Sequence, residues 1–245
     1  MATARTHSGY DTYMNATLRM LAIPGGTFRM GSDHGRADEA PAHDVTLPAF
    51  LAAEGPVTNA EYAAFVRATG ATPPPFVDEE QFAGPDLPVV GISWFDATAY
   101  CEWLSGQFGQ PFRLPTEAER EFSARGGLAG TDWPWPGENA SFVSWINSLS
   151  GPHVPSPGCA NGFGLRCMAE NVHEWCLDWY APTYYAGSPV RNPQNLVESK
   201  RRASRGGSWR HRAKTTRISA RSSLGPGFHY SDFGFRLYAD GPERH

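Results

Sequence analysis

Apolar and polar positions alternate in short bursts along this chain, and no single period is sustained for long. Residues 21–30 (LAIPGGTFRM) read as a strand, a Gly25-Gly26 turn and a second strand, and residues 43–50 alternate again. Thr58-Asn59-Ala60-Glu61 has capping-box spacing; Tyr62, Phe65 and Val66 then share a helical face, and Gly70 ends it. Ser93-Trp94-Phe95-Asp96 opens a second helix with Trp94, Cys101 and Leu104 on one face. Pro115-Thr116-Glu117-Ala118-Glu119 opens a third, which stops at Gly126-Gly127. Residues 32–42, 71–88 and 128–157 carry no period, and Trp133-Pro134-Trp135-Pro136 excludes a helix interior.

Further on, Glu170-Asn171-Val172-His173-Glu174-Trp175-Cys176-Leu177 alternates. If extended, it places Val172, Glu174 and Cys176 on one side and His173, Trp175 and Leu177 on the other. Gly206-Gly207 permits a sharp bend before Ser208 and Trp209. Phe233 and Phe235 flank Gly234 on one side of an extended segment, as in a last hairpin folded back on earlier chain. The pattern predicts an extension over residues 1–17 and a single domain over 18–245.

Composition sharpens this picture. Gly 26 and Pro 21, with eight Trp, nine Tyr and fourteen Phe, predict much loop anchored by aromatic side chains. A net charge of −4 gives no general reason to bind nucleic acid or an anionic membrane. The basic run over 200–221 is a local exception, read as a solvated face or as internal ion pairs. No apolar run is long enough to span a bilayer and the first residues lack an apolar signal core, so a cytoplasmic location is expected. The cysteines Cys101, Cys159, Cys167 and Cys176 are expected as free thiols. With no CxxC pair, a cysteine-built zinc site is not expected.

Seven segments occur in an order that resembles the sulfatase-modifying-factor family, whose best-known member is the formylglycine-generating enzyme. They are Pro24-Gly25-Gly26-Thr27-Phe28-Arg29-Met30-Gly31, Pro56-Val57-Thr58-Asn59-Ala60-Glu61-Tyr62, Pro88-Val89-Val90-Gly91-Ile92-Ser93-Trp94 and Arg113-Leu114-Pro115-Thr116-Glu117-Ala118-Glu119, followed by Asn171-Val172-His173-Glu174-Trp175, Arg205-Gly206-Gly207-Ser208-Trp209 and Gly234-Phe235-Arg236. The resemblance implies an α+β protein of variant C-type-lectin topology: a twisted, mostly antiparallel sheet, a few short helices and much irregular loop. It also implies oxidation of a sulfatase cysteine with copper(I) and dioxygen, which needs two cysteines shortly after the Gly-Gly-Ser motif. Here that segment, 209–219, has none, and Arg and Lys offer copper(I) no lone pair. Copper is therefore not expected.

Ser208 and Arg221 match family pocket residues. His173 stands where the family commonly has Trp, and it adds a group that ligates metal or moves protons. His173, His211 and His229 suggest a three-nitrogen site for iron or another transition metal, or three unrelated histidines. The family's structural calcium implies Glu174 with the carbonyls of Glu170 and Val172 as ligands, although Cys167 replaces the usual Asn or Asp. Three functions stay open. One is an oxidative or tailoring enzyme using His173, Ser208, His211 and Arg221 on a peptide or small molecule, with Arg221 clamping a carboxylate. The second is a non-catalytic, lectin-like binding module docking a ligand on its aromatic surface around Trp133 to Trp145. The third is true formylglycine generation with relocated thiols.

Overall fold

The computed structural model describes residues 13–15, 18–135 and 139–241. Its strands, in chain order, are β1 (Tyr13–Asn15), β2 (Leu18–Ile23), β3 (Gly26–Met30), β4 (His43–Leu47), β5 (Phe50–Ala53), β6 (His173–Trp179), β7 (Arg202–Arg205), β8 (Arg221–Leu224), β9 (Phe233–Gly234) and β10 (Tyr238–Asp240). Its α-helices are α1 (Asn59–Thr69), α2 (Trp94–Phe108), α3 (Glu117–Arg125) and α4 (Ala140–Ser148). The architecture is α+β, with short helices and long irregular connections. Of the extension expected over 1–17, only β1 is described, and it pairs with β2.

The first three helices start as their sequences dictate. Thr58, Ser93 and Thr116 each accept from the amide three residues on, and Glu61, Asp96 and Glu119 reach back to the cap amide. Gly70, Gly109 and Gly126 close them in the left-handed region. Helix α4 was not expected. It spans nine residues, buries only Ile146 and starts at Asn139 without a reciprocal acid, so it leaves little trace in the pattern.

The pairing is antiparallel except between β6 and β9, and it divides among three small sheets: β1-β2-β5-β10, β3-β4 and β8-β7-β6-β9. Strands β2 and β3 part company at Gly25, where a Cβ would lie 2.6 Å from the backbone of Leu47, Pro48 and Ala49. The bend therefore sends the chain across the β4–β5 connection and does not close a hairpin. Phe233 and Phe235 do bury into one cluster, with Trp175, Tyr62, Tyr100 and Leu114. Strand β10 returns to β5, so the C-terminal segment folds back on the beginning of the chain.

Helix α3 is buried along its whole length although five of its nine residues are charged. Its partners come from the strands of the third sheet. Arg221 forks onto Glu117 at 2.7 and 2.9 Å, and Arg205 bridges Glu117 and Glu121. Arg120 donates to Glu174 at 2.7 Å. Arg236 reaches the same carboxylate at 2.8 Å while donating to the carbonyls of Ala53, Glu54 and Arg166. Members of the basic run thus separate: Arg205 and Arg221 are internal ion pairs, whereas Arg201, Arg210 and Arg212 face solvent. A buried charge stripped of its partner costs about 3–5 kcal/mol. Glu174→Ala, which strands Arg120 and Arg236, is expected to lower the urea midpoint by that equivalent with an unchanged slope. A loss below about 1 kcal/mol would contradict the assignment.

Candidate functional site

Three backbone contacts bring distant residues together beside β6. After Arg205 the chain turns at Gly206-Gly207. The Gly207 amide donates to the Ala169 carbonyl at 3.1 Å, and the Trp209 amide donates to the Asn171 carbonyl at 2.9 Å. Only glycine fits at 207, because a Cβ there would lie 2.5 Å from the Ala169 oxygen and 2.2 Å from Thr216 Cγ2. This docking delivers Ser208 and His211 to the start of β6. From the other side the His173 amide donates to the Asp232 carbonyl at 2.8 Å, and β9 pairs Phe233 with His173.

The result is a two-histidine, one-carboxylate set. His173, His211 and Asp232 each offer one ligand atom, and the three atoms lie within 4.8 Å of one another. The imidazole rings sit 4.9 Å apart, centre to centre. Ser208 Oγ donates to Asp232 Oδ2 at 2.9 Å and fixes that carboxylate. His173 and Asp232 are only 5% and 7% exposed, and His211 is half-buried. Burial pushes His173 down to about 4 against the opposing pull of Asp232, and it lowers His211 as well. Both rings are therefore neutral at pH 7 and keep a lone pair for a metal. The Nδ1 of His173 is buried with no hydrogen-bond partner among the described residues. Outside His211 lies a cavity of about 320 Å³, walled by Trp209, Ile146 and Leu149 and rimmed by Arg210 and Arg212. Two nitrogens and a carboxylate with positions left over are the donor set of non-haem iron(II) sites.

Other expected site residues go elsewhere. Exposed His229 pairs with half-buried Asp96 at 2.9 Å, so the third donor is Asp232 and not a third histidine. Arg221 is buried between the rings of Tyr180 and Tyr185 with its fork filled by Glu117, so the expected substrate clamp is closed from within. The calcium expected on Glu174 and the carbonyls of Glu170 and Val172 meets a place already occupied by positive charge. The Arg120 guanidinium lies on Glu174 and on the Met168 carbonyl, with Arg236 on the opposite side. A divalent cation would be repelled there.

The thiols also separate. Cys101 and Cys176 are buried individually, whereas Cys159 and Cys167 Sγ lie 3.6 Å apart. Ligand atoms of Cys167, His153 and Glu170 fall within 4.8 Å of one another. No CxxC spacing marks this grouping in the sequence. Hydrogen bonding from Cys167 lowers the Cys159 thiol to about 5, while burial raises Glu170 to about 8. The tryptophans considered as a docking surface stack on one another, Trp133 on Trp135, then Phe142, Trp145 and His153.

A sulfatase-modifying factor enzyme 1-like domain model matches residues 10–240. The chain belongs to this family. The formylglycine-generating enzyme of Streptomyces coelicolor is 34% identical, with 92% of this chain and 90% of that protein covered. Among solved structures, PvdO from Pseudomonas aeruginosa superimposes with a TM-score of 0.83 at 27% identity, covering 97% of this chain and all of that one. Treponema denticola variable protein 1 superimposes with a TM-score of 0.79 at 26% identity, covering 95% and 99%. Between Gly207 and Arg221 this member has no cysteine. No described helix is long and apolar enough to cross a membrane.

Sequence reasoning missed Asp232 as a donor, because its one signal was adjacency to the Phe233-Gly234-Phe235 segment. It also missed His153, whose approach to Cys167 depends on loop geometry. The neutral state of His173 has a thermodynamic consequence. The unfolded chain protonates it near pH 6.5, and the folded chain protonates it only near 4. Between these values the unfolded state binds more protons, so stability rises with pH through that window and is lost as pH falls. Urea midpoints measured from pH 4.5 to 6.5 are expected to climb more steeply in the parent than in His173→Phe. Identical slopes would contradict the buried, neutral assignment.

Proposed function

We propose that this member of the family is an oxidative tailoring enzyme, acting on a peptide or small molecule at a transition-metal site formed by His173, His211 and Asp232. The observation that carries the reading is the convergence of two neutral imidazoles and one oriented carboxylate beside an open cavity. Iron(II) suits this donor set, and when bound it supplies dioxygen activation. The protein's own groups divide the remaining work. His173 and His211 hold the ion through nitrogen, Asp232 offsets its charge, and Ser208 keeps the Asp232 oxygen aimed. Trp209, and Phe233 with its ring 4.8 Å from that of His173, exclude water from the inner face. Arg210 and Arg212 on the rim favour substrates carrying a carboxylate or another anion.

Formylglycine generation with a relocated thiol pair draws support from the Cys159–Cys167 contact. Cys167 of that pair is buried and its sulfur converges with His153 and Glu170, which favours a structural set of donors over a site that must admit a peptide cysteine.

Anaerobic titration of untagged protein with iron(II) is expected to reach about one ion per chain. His173→Ala, His211→Ala and Asp232→Ala should each abolish stoichiometric binding, and Ser208→Ala should weaken it about 10–100-fold. The reading fails if the variants bind iron as the parent does. It also fails if the parent turns a Cys-x-Pro-x-Arg peptide into an aldehyde with copper and a reductant.

A further inference from the structure

We infer that His153, Cys167 and Glu170, joined by the neighbouring thiol of Cys159, form a second metal site that holds zinc(II) and fixes the loops behind the histidine–aspartate site. The four residues supply two sulfurs, one imidazole nitrogen and one carboxylate oxygen, donors that tetrahedral zinc accepts. Cys159 and Cys167 Sγ are 3.6 Å apart. His153 Nε2 and Glu170 Oε1 are 3.7 Å apart, and both fall within 4.8 Å of a Cys167 ligand atom. A sulfur–sulfur separation of this size is far beyond the ~2.05 Å of a disulfide.

Two independent features point to a ligand here. First, Glu170 Oε1 and His153 Nε2 are buried without any hydrogen-bond partner among the described residues, and they face each other. Glu170 is 1% exposed. Leaving such a carboxylate oxygen unpaired in a dry site is costly, and a cation between the two groups removes that cost. Second, the surroundings hold the donors in place. Asn171 grips His153 on both sides, accepting from its amide at 3.1 Å and donating to its carbonyl at 2.8 Å. The same side-chain amide donates to Cys167 Sγ at 3.5 Å, the kind of outer contact that tunes a ligating sulfur. The His153 ring rests on Trp145 at 4.8 Å. Cys167 and Asn171 both have positive φ, +58° and +82°, an uncommon conformation for residues other than glycine.

The consequence lies in what the site joins. His153 follows α4, Cys159 sits in the short turn after it, and Cys167 and Glu170 lead directly into β6. Asn171 adjoins Glu170, and its carbonyl receives the Trp209 amide. An ion bonded to all four donors would pin residues 153–170 against the backbone that positions Ser208 and His211. This zinc is therefore structural, and it is separate from the iron site in both residues and donor type.

The test is metal analysis of the full, untagged chain carried through gel filtration without chelator. The expected result is about one zinc per chain. Cobalt(II) substitution should give a sulfur-to-cobalt charge-transfer band in the near ultraviolet. Cys159→Ser, Cys167→Ser and Glu170→Gln should lose both zinc and the band. Cys101→Ser, His173→Ala and His211→Ala should keep them, which separates this site from the other. In the parent, two thiols should become reactive to a thiol reagent only after a chelator strips the ion, a readout that does not depend on any variant folding. Absence of zinc, a Cys159–Cys167 disulfide in its place, copper(I) as the resident ion, or zinc retained by both cysteine variants would each overturn the proposal.

Discussion

Helix α3 places charge where a fold of this size normally puts apolar side chains. Glu117, Glu121 and Arg120 lie in the interior, and each is tolerable only when its partner is home. Those partners, Arg221, Arg205 and Glu174, sit on β8, β7 and β6. Arg236 adds the segment between β9 and β10 to the same network. The buried ions thus set the register of the third sheet more strictly than its short strands could. A slip of one residue would turn a guanidinium or a carboxylate toward the wrong face and leave its partner unpaired.

The candidate iron site stands on that registered sheet. His173 is the neighbour of Glu174, and Ser208 and His211 follow Arg205 through the glycine bend. Asp232 precedes the strand that pairs with β6. Of the three donors only His173 lies in a strand; Asp232 directly precedes β9, and His211 sits in the connection between β7 and β8, whose segment after Trp209 also forms, with α4, the outer wall of the cavity. The same network puts two guanidinium groups on Glu174, the carboxylate that the resemblance implies as a calcium ligand. The family resemblance implies sulfur after the glycine bend; this chain has no cysteine between Gly207 and Arg221 and brings two imidazoles and a carboxylate together beside that bend.

Much of this was legible in the sequence, for identifiable reasons. Capping boxes at Thr58 and Thr116 are local signals, complete within four residues, and the helices begin where they stand. His173 could be singled out because it departs from an aromatic position in an otherwise matching motif. Arg221 was legible as important but not as internal, because whether a guanidinium faces a carboxylate or a substrate depends on long-range packing with Glu117. His229 was grouped with the wrong partners for the same reason: its distance in sequence from Asp96 hides their contact. The second cluster was invisible, because His153, Cys159, Cys167 and Glu170 follow no helix or strand period and meet only through turns with uncommon backbone angles.

Anomalous diffraction at the iron edge, from crystals grown anaerobically with iron(II), would test the central claim most directly. The account predicts one strong peak within bonding distance of His173, His211 and Asp232. No peak there, or a peak only between Cys159 and Cys167, would contradict it.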